Sequence, residues 1–184
     1  MRKLTLDLGG IEVEQSPPAV FERQAMSDRN PRIAACVADG HSSLFRLLTV
    51  ALSGPFYVLY VLHTPRGEAE PGRYQSTELS RDDLEAFLMK YELYISDDAR
   101  HDLWVYSPSS GQTLVWDRHN TLFAEGEPLE PIAEVLVSQG YREGSLPALG
   151  DHYHHYRPEY DADAAGLLDE FDWYRTPLRK EDVQ

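Results

Sequence analysis

The sequence predicts one α+β domain, a mixed or antiparallel sheet packed against two main helices, with an acidic C-terminal arm. Three observations carry that expectation. Residues 103–124 hold three short apolar runs separated by turn residues, the pattern of an antiparallel meander. Two stretches, 80–91 and 129–139, repeat apolar residues at helical spacing. The 184 residues are 42% hydrophobic, enough for one core, and no Gly/Ser-rich or Pro-rich linker divides them. The domain is therefore expected to span 1–184, with a core to about 146 and a Tyr/His-rich acidic extension over 147–184. Each apolar face must be covered by another layer, which gives two layers.

Taken in order, Leu4, Leu6 and Leu8 share one face of an expected strand at 3–8. Gly9-Gly10 turns the chain, and Ile11 and Val13 continue as a second strand. Residues 15–30 read as a loop, and Asn30-Pro31 as the start of a short helix through Ala38. Leu44 to Leu52 is apolar at both odd and even positions and reads as a strand, with a helix as the alternative. Ser53-Gly54-Pro55 breaks it. Phe56–His63 is dense in aromatic and β-branched residues, which suits a central strand.

Residues 64–77 carry Pro65, Gly67, Pro71 and Gly72 and read as a long loop. Ser80 with Asp83 three residues on gives a helix start of the capping-box kind. Leu84, Phe87, Leu88 and Tyr91 then mark its buried stripe. The meander strands come next, at 103–106, 113–116 and 121–124. Ile132, Val135, Leu136 and Gln139 give the second helix its inner side. Trp104, Trp116, Tyr57 and Tyr60 are assigned to the core. Beyond Pro147, Leu167, Leu168, Phe171 and Trp173 suit a short closing helix. The meander followed by an amphipathic helix resembles the layout of small bacterial immunity proteins and other bacterial α+β domains. The resemblance implies an accessory or immunity-type binding protein and assigns no residue roles.

Charge narrows the partners. Seventeen Lys and Arg against 31 Asp and Glu leave a net −14. Such a chain repels phosphate backbones and anionic lipid, so neither nucleic acid nor a membrane is expected. Residues 117–172 hold thirteen acids and three arginines, −10 of the total, which points to a basic protein partner. Tyr153, Tyr156 and Tyr160 with Asp161, Asp163, Asp169 and Glu170 are the expected protein-binding residues, because tyrosines supply the desolvated contacts that charge lacks. Cys36 is the one cysteine, so no intrachain disulfide forms, which suits the cytoplasm. The start lacks the apolar stretch of a signal peptide.

Motifs are sparse. No phosphate loop, dinucleotide fingerprint, HExxH, CxxC, EF-hand or GxSxG spacing occurs, so no cofactor and no standard catalytic set is expected. The exception is Asp151-His152-Tyr153-His154-His155-Tyr156. In an extended chain His152 and His154 point the same way. Asp151, His152, His154 and His155 are therefore the candidate metal ligands. Asp117-Arg118-His119-Asn120 is a turn with three ionisable residues. Two readings result: a non-enzymatic acidic binding protein for a basic partner, or a small hydrolase or metal-dependent enzyme using His119 or the 152–155 cluster.

Overall fold

The alternation that opens the chain becomes strand β1, Leu4–Asp7, which pairs antiparallel with β2, Glu12–Val13. A computed structural model describes residues 3–14, 16–26 and 29–182. Further strands are β3 (Val20–Met26), β4 (Arg29–Cys36), β5 (Tyr57–Leu62), β6 (Gly72–Gln75), β7 (His101–Ser107), β8 (Gln112–Trp116) and β9 (Thr121–Glu125). The chain closes with β10 (Arg142–Glu143), β11 (His152–His154) and β12 (Tyr174–Thr176). Helices are α1 (Ser43–Val50), α2 (Arg81–Lys90), α3 (Glu92–Asp97), α4 (Glu130–Ser138) and α5 (Asp161–Leu168).

Nine strands form one sheet in the order β10-β3-β4-β9-β8-β7-β5-β6-β12. Its pairs are antiparallel except β10 with β3, so the sheet is mixed. A second sheet has the order β11-β1-β2. The core lies between the large sheet and the helices, with Phe87, Leu88, Ile132 and Leu136 meeting Tyr60, Leu103, Leu114 and Trp116. Among the described residues the other face of the large sheet carries no α-helix, only the 3-10 turn Lys180–Asp182. There Tyr57, Leu59, Trp104 and Phe123 are only partly buried. No helix among the described residues is long and apolar enough to cross a membrane.

The capping box of α2 is present: the Ser80 side chain accepts from the Asp83 N–H, and Asp83 accepts from the Ser80 N–H. Leu84, Phe87 and Leu88 are buried as the stripe requires. The meander is β7-β8-β9, joined by short turns.

Several expectations are corrected. Residues 31–36, expected to begin a helix through Ala38, belong to strand β4. Ile33, Ala34, Ala35 and Cys36 are all buried, so both faces of β4 are apolar here, and a short continuous apolar run fits either state. Residues 44–50 are helical rather than extended. Leu44, Phe45, Leu48 and Thr49 are buried on one helical face. Leu47 and Val50 are left exposed, and they produced the false alternation.

The stretch 15–30 contains β3, whose polar composition reflects a position near the sheet's edge. The loop 64–77 contains β6. Gln139 is exposed, and Trp104 and Tyr57 lie on the open sheet face rather than in the core. Beyond the two main helices expected, the described residues hold three more α-helices, α1, α3 and α5, of which α5 answers to the short closing helix. The described part of the expected arm, residues 147–182, packs on the domain: β11 joins the small sheet, β12 the large one, and α5 buries Ala164 and Leu167 in the core.

Candidate metal centre

Two distant segments build the site. The first is the turn between β8 and β9. Asp117 accepts the Thr121 N–H through Oδ1 at 2.8 Å, and Asn120 sits at φ 63°. Asparagine tolerates that left-handed conformation better than most residues. The Asn120 side chain accepts from Trp116 Nε1 at 2.9 Å, which pins the turn to the core. The backbone N–H of Arg118 donates to Asp102 Oδ1 at 2.8 Å. His119 is thereby held with Nδ1 3.3 Å from Asp117 Oδ2.

The second segment is β11. It pairs with β1, placing His154 opposite Leu4 and His152 opposite Leu6. Strand alternation sends both imidazoles to one side. Tyr153 points the other way and donates to Asp7 Oδ2 at 2.8 Å. His152 Nδ1 lies 2.9 Å from the Gly150 carbonyl oxygen.

The three rings meet. His119 and His152 centroids are 5.4 Å apart, His119 and His154 5.0 Å, and His152 and His154 4.9 Å. One ligand atom from each lies within 4.8 Å of the others. Ligands at zinc–nitrogen distances of about 2.0–2.1 Å in a tetrahedron stand about 3.3 Å apart, so small ring rotations would close the set. The oxygen contacts at Nδ1 of His119 and His152 leave Nε2 for a metal, the way ligand histidines are usually oriented.

His154 Nε2 is buried and has no hydrogen-bond partner among the described residues. Burial first, then the neighbouring His119, His152 and Arg118, hold the His154 imidazole down at about 4, against the raising pull of Asp102. It is therefore neutral at ordinary pH, with a lone pair to offer. Behind the site Lys3 is fully buried, its amine 4.0 Å over the Trp116 ring. Burial lowers it to about 8, while Asp102 and Asp117 oppose the shift.

Asp102 lies beside His119 along the wall of a 370 Å³ hollow on the open sheet face. Its Oδ2 is 2.9 Å from His63 Nε2. Burial pushes its carboxyl up, but His63, the Arg118 N–H and Lys3 outweigh this and hold it below the usual range.

The other candidate ligands lie apart from this cluster. His155 Nε2 is 3.0 Å from Thr5 Oγ1 and 3.0 Å from Glu12 Oε1. Asp151 is exposed, and its carbonyl accepts the Asp7 N–H. The expected protein-binding residues are dispersed. Tyr160 donates to Asp97 Oδ2 at 3.1 Å, and burial, then Asp97, raises its hydroxyl to about 12. Asp161 is 3.0 Å from both Arg66 and Arg100. Glu170 is 2.5 Å from Lys90 and 2.7 Å from the Tyr91 hydroxyl. Tyr153 is exposed and Tyr156 stacks 6.3 Å from His154. Asp163 is half-buried and Asp169 exposed.

No protein-family model matches this chain, and neither a curated protein nor a solved structure matches it.

Proposed function

We propose that the chain binds one divalent first-row metal ion, zinc fitting best, through His119, His152 and His154, and uses it for metal-assisted hydrolysis. The observation that carries this is the convergence of three imidazoles, from a turn and a strand about thirty residues apart, with the buried Nε2 of His154 left without a hydrogen-bond partner among the described residues. A buried polar atom without a partner costs about 1–3 kcal/mol, and a metal ion would repay that cost. Three protein nitrogens leave a fourth tetrahedral position for water, the arrangement of hydrolytic rather than structural zinc sites. A zinc ion held by His119, His152 and His154 would supply Lewis acidity and activate water for hydrolysis. Asp102, which lines the same hollow as His119, would accept a hydrogen bond from a substrate bound there.

The test is direct. Protein dialysed against zinc and then against buffer should keep one ion per chain, and H152A/H154A should keep none. Hydrolysis of p-nitrophenyl acetate should stop with a chelator and return with zinc. Wild-type protein that retains no zinc would end the reading.

A further inference from the structure

The face of the large sheet opposite the α-helices carries a surface that the metal centre leaves unexplained. Cross-strand register puts Leu59 opposite Trp104, Trp104 opposite Val115 and Val115 opposite Phe123. These four side chains form an apolar row across β5, β7, β8 and β9. Tyr57 and Tyr106, also opposite each other, flank it, and Tyr106 is 43% exposed.

Two hollows run along the row. One, of 370 Å³, extends from Trp104 past Phe123 to His119. The other, of 360 Å³, lies among Tyr57, Leu59, Trp104 and Tyr106. Trp104 lines both, so they are neighbours along one groove, whose first hollow reaches His119. From β6 to β4 it crosses six strands. At about 4.8 Å per strand interval that is about 24 Å, the length of about seven extended residues. That is long for a single small ring and suits a polypeptide.

Charge indicates which polypeptide. Five carboxylates, Asp102, Asp117, Glu125, Glu181 and Asp182, line the first hollow against Arg32 and Arg118. The face already holds two guanidinium groups of its own. Arg32 lies 4.6 Å over the Phe123 ring, with Glu125 3.8 Å away. Arg73 lies 5.2 Å over Trp104 and is paired with Asp182. These groups already cover the Phe123 and Trp104 rings, so an incoming cation would meet the carboxylates and the exposed Tyr106 ring.

We propose that this face is a docking groove for an extended, lysine- or arginine-bearing segment of a basic partner protein. The proposal rests on the metal reading only for the step after docking, in which the bound segment is presented to His119, His152 and His154. Docking itself is measured without metal.

The probe is a fluorescein-labelled eight-residue peptide of alternating arginine and alanine, read by anisotropy against the full chain in EDTA. The matching glutamate–alanine peptide is the control. Binding should weaken at least tenfold in Y106A and in E125Q/E181Q. It should change less than twofold in D163N/D169N, whose acids lie on the α5 side of the molecule. Far-UV circular dichroism confirms that each variant is folded. Equal losses in D163N/D169N, or full affinity in a folded Y106A, would reduce the binding to diffuse attraction and overturn the groove. H152A/H154A should bind the peptide normally while losing zinc, so failure of the metal centre is read separately from failure of the groove.

Discussion

Asp117 makes two different contacts, and they separate a folding role from a metal role. Oδ1 accepts the Thr121 N–H and shapes the turn, while Oδ2 faces His119 Nδ1. Asparagine keeps the first and offers an amide to the second, favouring the wrong imidazole tautomer. Asp117→Asn should therefore weaken zinc about 10–100-fold while leaving the melting temperature nearly unchanged. A competitive zinc titration beside a thermal melt checks both. At this scale the sequence was partly readable. The shared direction of His152 and His154 comes from strand alternation. That His119 meets them was hidden, because β1 carries β11 to the β8–β9 turn through long-range pairing. Adjacency suggested His155 and Asp151, yet alternation turns His155 toward Thr5 and Glu12.

Elements were legible where a cap or a period stood out. Ser80 and Asp83 announce α2, and its stripe buries Phe87 against Tyr91 and Phe171, with ring centroids 5.4 and 5.3 Å away. Phe87→Ala should cost about 3–5 kcal/mol, read from the urea midpoint. An unchanged midpoint would remove α2 from the core. Elements were illegible where both faces are apolar. At 31–38 and 44–52 the periods of helix and strand overlap, and tertiary packing decided between them. Leu47 and Val50, exposed on α1, carry no pattern that distinguishes them from core residues.

Across the whole molecule, charges that look outward-facing in the sequence are held by distant partners. Arg100 is fully buried and bonds Asp98, Glu68 and Asp161, tying α5 to the segment before β7. Lys90 does the same for Glu170. The run of acids in 147–184 is therefore partly internal wiring, which no local reading of charge reveals. The His119–His152–His154 centre spans a similar distance, linking a turn of the large sheet to a strand of the small one. Zinc bound there should staple the two sheets and raise the stability of the native state by mass action. X-ray absorption at the zinc edge tests this centre most directly. The expected spectrum of the loaded protein has three imidazole nitrogens at about 2.0–2.1 Å and one further light ligand. His119→Ala should lower the imidazole count by one. Six oxygen neighbours with no imidazole scattering, or an unchanged spectrum in His119→Ala, would contradict it.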